Sequence, residues 1–448
     1  MTAKRYNIQT FGCQMNVSDS ERLAGMLEGE GYAEASSAED ADVILINTCS
    51  VREKAAHKLY SELGRLRHLK ERADGGPTIA VAGCVAQQER ERVLRRAPHV
   101  DLVLGPRSLS DFPELLRAAR TQSTPVTAFG YRGSSQESFV GARRPASVRA
   151  FVTVMEGCDR FCSFCIVPHT RGREWSRPLP DIEAEVRGLI ARGFREVTLL
   201  GQSVLAYGKR DGLEARFPDV LRAVGTVPGL DRVRFATSHP VDVDAPLAAS
   251  MAALPAVCEH IHLPFQSGSD RILAHMNRGH TAAEYLQKIA LLRAAVPNLG
   301  ITADVIVGYP EESEEDFQAT LDLIAEVRFD GLFSFIYSPR PRTPAEKLDE
   351  LPREIGATRL QRLMDLQREI SRAAYQRRIG RHLEVLVEGP SKKAAERLTG
   401  RARDNKVVNF AGPDELTGQL VAVEITGATP YSLSGRAAGR PEVPAASR

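Results

Sequence analysis

Short runs of β-branched and aliphatic residues alternate with helical patterns along most of this chain, and that alternation decides what it can fold into. Four runs, Tyr6–Phe11, Asp42–Asn47, Thr78–Ala82 and Val100–Leu104, are separated by helical stretches such as Ser18–Gly29 and Arg52–Arg72. Six more follow at Ala150–Met155, Glu196–Leu200, Arg232–Ala236, His260–Phe265, Ile301–Val307 and Leu332–Tyr337. Strands alternating with helices specify parallel sheets faced by helices. The fold class expected is therefore α/β. An amino-terminal doubly wound parallel sheet spans 1–121, and a central partial (β/α)6 barrel spans 148–372, its site at the carboxyl ends of the strands. Residues 122–147, with Thr, Ser, Gly, Pro and Arg and little periodicity, read as a linker. Past a charged helical stretch at 351–379, short strands at His382–Glu388, Arg397–Arg401, Val407–Phe410 and Leu420–Ile425 suggest a small OB-like β-barrel over 375–438. Residues 439–448 read as a disordered tail.

At 448 residues, the chain suits about three domains, and 43% hydrophobic with 26% charged residues is ordinary for a soluble protein. The start has no apolar signal region, and runs such as Val43–Ile46 are too short to span a bilayer. These features predict a cytoplasmic monomer with no membrane partner. Seven cysteines in a reducing compartment are more apt to bind metal than to pair as disulfides. The net charge of +2 excludes a global nucleic-acid-attracting field and leaves only local patches.

The cysteines fall into two sets, with Cys258 left over as a buried thiol. Cys158, Cys162 and Cys165 are packed into Cys158-Asp-Arg-Phe-Cys-Ser-Phe-Cys165, directly after the first strand of the central domain. Thiolates this close can converge on one iron–sulfur cluster. Three cysteines on four irons leave one iron open to bind a small molecule through nitrogen and oxygen. A structural zinc site is the alternative, but it wants a fourth ligand, for which His169 is the one nearby candidate. Cys13, Cys49 and Cys84 are far apart in sequence, yet each lies just after a strand: Phe11-Gly-Cys13, Asn47-Thr-Cys49 and Ala82-Gly-Cys84. Ligands of doubly wound sheets bind beyond the carboxyl ends of the strands, so these three can meet in space. The alternative is three unrelated buried thiols, common for cysteine.

Cys-x3-Cys-x-aromatic-Cys, with Phe164 as the aromatic, resembles the signature of radical S-adenosylmethionine (SAM) enzymes. That resemblance implies a four-iron cluster on Cys158, Cys162 and Cys165 whose open iron chelates SAM and, once reduced by a low-potential electron donor, splits it to a 5′-deoxyadenosyl radical. Gly12-Cys-Gln-Met-Asn16, Asn47-Thr-Cys-Ser-Val-Arg-Glu-Lys54 and Val81-Ala-Gly-Cys-Val-Ala86 resemble the amino-terminal domain of the methylthiotransferases. In those enzymes three such cysteines, here Cys13, Cys49 and Cys84, hold an auxiliary four-iron cluster that takes part in sulfur delivery. The likeness continues through Ile166–Pro178, Ala236–Pro240, His262–Ser269, Met276–Gly279, Val305–Pro310 and Tyr337–Pro341. Together these segments are similar to the branch that modifies carbon 2 of N6-(dimethylallyl)adenosine beside the anticodon of tRNA. They implicate two 4Fe-4S clusters and two SAM molecules, and leave the sulfur donor open. Carbon 2 carries no acidic proton and no leaving group, which is why a radical is needed.

Relatives acting on threonylcarbamoyl-adenosine in tRNA, or on an aspartate of a ribosomal protein, are the first alternative. A non-catalytic iron–sulfur RNA-binding or electron-transfer protein is the second. The chain departs from the family pattern at Ser203 (Asn there), Tyr309 (Phe), Glu311 (Gly) and Arg342 (often Gly).

No acid or base catalyst stands out. Gln202, Ser238, Gln266 and Gly308 lie at or just after barrel strands and are candidates to line the SAM pocket. Loop geometry is the equal alternative. Arg171 and Arg173, just past the cysteine loop, are candidates for a phosphate or a carboxylate, or for plain surface. Residues 371–411 hold ten Lys or Arg against four acids. This segment resembles the tRNA-binding TRAM domain, with Arg378, Lys392, Lys393, Arg401, Arg403 and Lys406 as candidate RNA contacts.

Overall fold

The computed structural model describes residues 4–51, 53–71, 76–130, 142–144, 147–392 and 394–438. The expected tail, half of the expected linker and Lys393 lie outside those residues. The amino-terminal strands are β1 (Arg5–Phe11), β2 (Ala33–Glu34), β3 (Val43–Thr48), β4 (Thr78–Gly83), β5 (Leu102–Leu104) and β6 (Val126–Ala128). They form one sheet in the order β2-β1-β3-β4-β5-β6, every pair parallel. The order reverses between β1 and β3, which makes a topological switch point there. β3 and β4 are buried along their whole length because helices cover both faces. Leu59, Leu63 and Leu66 of the helix Glu53–Lys70 pack on Ile44, Ile46 and Val81. Leu23, Leu27 and Phe112 pack on Val43 and Leu45 from the other side. One expectation is corrected here: Val126–Ala128, read as linker, is the sheet's edge strand, and further on the Arg143 N–H bonds to the Glu21 carbonyl at 2.9 Å.

The central domain begins with β7 (Arg149–Thr153). A small antiparallel hairpin, β8 (Met155–Glu156) with β9 (Trp175–Ser176), then encloses the cysteine loop. β7 pairs in parallel with β10 (Glu196–Leu200), and β10 with β11 (Arg232–Phe235). β12 (His260–His262), β13 (Gly300–Val307) and β14 (Gly331–Ile336) form a second parallel trio. Backbone bonds from Val233 N–H to Ala256 O (2.7 Å) and from Cys258 N–H to Val233 O (3.0 Å) join the two trios. The result is a six-stranded arc in chain order, with no described pairing of β14 back to β7. Val197, Leu199, Val233, Ile261, Ala303 and Val305 form the inner wall of a single core that the flanking helices close.

The helix Arg353–Gln376 leads into the last unit, so the boundary expected near 372–375 falls within its final turns, and Tyr375 is already part of the next core. β15 (His382–Ser391), β16 (Ala394–Ala402), β17 (Val407–Ala411), β18 (Leu420–Ala428) and β19 (Leu433–Ala437) close into a barrel in the order β15-β16-β17-β19-β18. The fifth strand, absent from the sequence reading, closes it by pairing parallel to β17 and antiparallel to β18.

This small barrel sits against the amino-terminal ends of the central strands. The Arg234 guanidinium, from β11, donates to the Ala402 and Arg403 carbonyls (2.8 and 2.9 Å) and to Glu196 (3.0 Å). Fully buried Arg232 donates to the carbonyls of Arg401 and Glu384. Arg403 pairs with Glu259 (2.6 Å), beside β12, and Lys406 with Asp330, beside β14.

Candidate active site

The register of the first sheet lines up Phe11, Thr48 and Gly83 across three neighbouring strands. Cys13, Cys49 and Cys84 follow immediately at one edge. Cys13 caps the helix Gln14–Gly29, and Cys84 opens the helix Cys84–Glu89. Gly83 is required where it stands. Its φ is +96°, and a Cβ there would lie 2.3 Å from Asn47 Oδ1. Asn47 in turn donates to the Asn16 carbonyl (2.8 Å) and Ser20 Oγ (3.0 Å), fixing the helix over β3. Cys13 and Cys49 are hydrogen-bonded to each other, which pulls Cys13 down to about 6 and pushes Cys49 up. The Val51 N–H points at Cys49 Sγ from 3.3 Å. Burial pushes Cys84 up, against the charge of Arg171 beside it.

The second set is held by the barrel's upper rim. The Cys158 N–H donates to the Gly172 carbonyl (3.0 Å) and the Cys165 N–H to the Cys162 carbonyl (2.9 Å). The Gly157 N–H donates to Gln202 Oε1 at 2.6 Å, and Arg278 Nη1 points at Cys162 Sγ from 3.4 Å. Phe161 sits in the same loop at φ +49°, nearly half exposed, with its carbonyl held by Asn277 Nδ2 (3.0 Å). Burial raises Cys158 to about 11 and Cys165 to about 12, so cation binding must displace protons. Each sulfur lies within electrostatic reach of the other two. Among the described residues no three His, Cys, Asp or Glu side chains are grouped for a single metal ion. Each trio nevertheless places soft donors on one rim, the chemistry an iron–sulfur cluster takes.

The four pocket candidates follow four successive strands, and the structure divides them. Ser238 Oγ and Gln266 Oε1 are buried without a hydrogen-bond partner, as are Ser203 Oγ, His239 Nε2 and His280 Nε2. Buried polar atoms left unpaired are ready to receive a polar ligand, and their density at this rim fits a zwitterion such as SAM. Gln202 and Gly308 are instead engaged, the first with Gly157 and the second through its N–H with Glu312 Oε2 (2.7 Å). Thr237 (φ +67°) and Gln266 (φ +70°) hold left-handed backbone, strain of the kind that gathers at active sites.

The basic candidates at the carboxyl end need correction. Arg378 pairs with Asp404 (2.6 Å) and Arg401 with Glu388 (3.0 Å). Arg403 and Lys406 pair with residues of the central domain, and Lys406 is 2% exposed. Lys406 is committed inside the molecule against the central domain, while Arg378, Arg401 and Arg403 are ion-paired and partly exposed. Lys392 is exposed, together with Arg372, Arg377, Arg381 and Arg397.

The sequence reading missed Arg278 at Cys162 and the exposed Phe333 and Phe335 at alternate positions of β14, where His262 meets the Phe333 ring edge-on at 5.8 Å. Arg278 lies in the segment Met276–Gly279 noted above, and no local pattern marks the two phenylalanines. Arg171, left open between ligand contact and surface, is buried against Asp19 of the first domain (2.5 Å).

Residues 5–105 match the uncharacterized protein family UPF0004, 152–324 the Radical SAM superfamily and 376–438 the TRAM domain. Among solved structures, the radical S-adenosylmethionine methyltransferase TsrM from Kitasatospora setae is similar with a TM-score of 0.58 at 13% identity, over 77% of this chain and 75% of that one. The cobalamin-dependent S-adenosylmethionine radical enzyme OxsB gives 0.52 at 14%, over 77% and 55%. At such identities the likeness is one of fold. The arc of strands and its cysteine rim thus define a radical SAM enzyme, with one four-iron cluster and SAM as its cofactors.

Two curated relatives are far more similar. Over 433 residues the chain is 50% identical to the tRNA-2-methylthio-N(6)-dimethylallyladenosine synthase of Geobacter metallireducens, covering 96% of this chain and 98% of that protein. Over 435 residues it is 47% identical to the enzyme of that name from Desulforamulus reducens, covering 97% and 95%. The chain belongs to the tRNA-2-methylthio-N(6)-dimethylallyladenosine synthase family.

Proposed function

We propose that this chain transfers a methylthio group to carbon 2 of N6-(dimethylallyl)adenosine beside the anticodon of a tRNA. The observation that carries the reading is the meeting of the two cysteine trios. They lie on the carboxyl-end rims of two parallel sheets, and the Arg171-Gly172 dipeptide touches both. One trio alone serves radical generation; a second beside it serves sulfur supply. Cys158, Cys162 and Cys165 would hold the cluster that binds SAM, and Cys13, Cys49 and Cys84 a second cluster. When bound and reduced, the first supplies one electron to SAM, giving an oxidant strong enough to take hydrogen from carbon 2.

The chain's own part is to bind, orient and shield. Gln202 fixes the loop that carries Cys158 through Gly157. Arg278 donates towards Cys162, a contact that tunes cluster potential. Ser238 and Gln266 supply unpaired polar atoms for the SAM amino and carboxylate groups or the adenine edge. Lys392, Arg381 and Arg397, exposed on or beside the small barrel, would meet tRNA phosphates. No described helix is long and apolar enough to cross a membrane, and the cytoplasm, where tRNA and reductant are found, is the fitting location.

The test is anaerobic. Reconstituted protein, dithionite and SAM are mixed with tRNA from cells lacking the modification, and the nucleosides are then analysed by mass spectrometry. A methylthio increment on the prenylated adenosine, with 5′-deoxyadenosine, is expected. If 5′-deoxyadenosine forms and no nucleoside changes, the target or the sulfur supply is wrong. Replacing Cys158, Cys162 and Cys165 by Ala should leave about half the iron. An intact protein that saturates at one cluster refutes the two-cluster arrangement.

A further inference from the structure

Arg171 is an unusual place to put a guanidinium. It is only 5% exposed, in the segment that closes the cysteine loop of the central domain, yet its side chain enters the amino-terminal domain. Its backbone is pinned from both sides. Its carbonyl accepts from Arg107 Nε of the first domain (3.0 Å), and the next carbonyl, that of Gly172, accepts from the Cys158 N–H (3.0 Å). Nη2 donates to Oδ2 of Asp19, itself 1% exposed, on the helix that Cys13 caps. Nη1 has no hydrogen-bond partner, while the guanidinium is also hydrogen-bonded to the Cys84 thiol. A buried cation with an unpaired donor is costly, and one aspartate does not satisfy five N–H groups. The other carboxylate in reach, Glu156, is already bonded to Arg22 (3.0 Å).

We infer that Arg171 is a positioning residue that holds a small anionic sulfur ligand, a hydrosulfide or a thiolate, against the site formed by Cys13, Cys49 and Cys84. This rests on the two-cluster reading given above. A cluster on three thiolates is net negative, and a sulfur anion on its open iron adds to that charge in a buried place. A fixed guanidinium with a free N–H offsets it and gives the anion one orientation. That the guanidinium arrives from the radical-generating domain means the ligand is held only where that domain is docked.

The experiment uses the full chain with Cys158, Cys162 and Cys165 replaced by Ala, so that one cluster remains, reconstituted anaerobically. Methanethiolate is titrated in, and the electron paramagnetic resonance spectrum of the reduced cluster is followed. Arg171→Gln should keep its iron while its titration midpoint rises at least tenfold. Arg171→Lys, which keeps the charge opposite Asp19, should fall between the two. A midpoint unchanged in Arg171→Gln overturns the assignment. So does loss of iron from Arg171→Gln with iron kept in Arg171→Lys, which would make the residue a builder of the cluster rather than the holder of its ligand. A parent protein that binds no cluster brings down the two-cluster reading and this inference with it, whereas a parent that holds its cluster but whose spectrum ignores methanethiolate overturns this inference alone. The two failures are told apart by the parent alone.

Discussion

Two residues away from the cysteine loops carry a measurable strain. Glu311 and Arg342, at positions where the sequence reading expected glycine, both hold left-handed backbone, at φ +65° and +68°. An L side chain there costs about 1–2 kcal/mol, part of which glycine returns through the freedom of its unfolded chain. Glu311→Gly and Arg342→Gly should each stabilise the protein by about 0.5–1 kcal/mol, read as a raised midpoint in thermal unfolding. The exposed Glu311–His275 pair lost in the first variant takes little away. A second residue-scale effect depends on pH. His260 is buried beneath the small barrel, and burial with the nearby charge of Arg234 drives it far below the usual histidine range. The folded state keeps it neutral while the unfolded chain takes a proton below about pH 6.5. Stability from this group is therefore full above that pH and falls as pH drops, by about 1.4 kcal/mol per unit. His260→Gln should flatten the acid limb of a pH–stability curve; an unchanged slope would show that the ring titrates freely.

Among elements, the loop between β8 and β9 carries the chemistry and depends on what lies outside it. Gln202, after β10, supplies the acceptor for the Gly157 N–H, so Gln202→Ala leaves a buried donor unpaired at a cost of about 1–3 kcal/mol. The expected outcome is faster iron loss on dilution, with Gln202→Glu keeping the iron. The long β/α alternation was legible in the sequence because buried parallel strands are continuous aliphatic runs. That is why β3 and β4, with their cysteines, could be placed. β2, β6 and β19 were not legible. Ala33–Glu34 is a two-residue strand, Val126–Ala128 lies in polar surroundings, and Leu433–Ala437 has one buried apolar anchor, Leu433. Edge and closing strands of this kind get their pairing from neighbours, not from their own periodicity.

For the whole molecule, composition revealed a basic carboxyl end and gave no sign of which face it presents. Arg403 and Lys406 point at the central domain, where Glu259 and Asp330 meet them, and Arg232 and Arg234 reach back to the carbonyls of Arg401, Ala402 and Arg403, relations spanning long stretches of chain. The consequence can be measured. Arg381→Ala and Arg397→Ala should each lower the salt dependence of tRNA binding by about one counterion while leaving unfolding unchanged. Lys406→Ala should do the reverse, destabilising by about 1–3 kcal/mol by leaving Asp330 without its cation, while Asp404 keeps Arg378. The docking has a further consequence in time. Segment 401–406 follows the central strands in the chain and covers their amino-terminal ends. Until it docks, Arg232 and Arg234 face water at the open base of the arc. The amino-terminal base of the arc, opposite the cysteine rim, is therefore covered only once the small barrel has folded onto it.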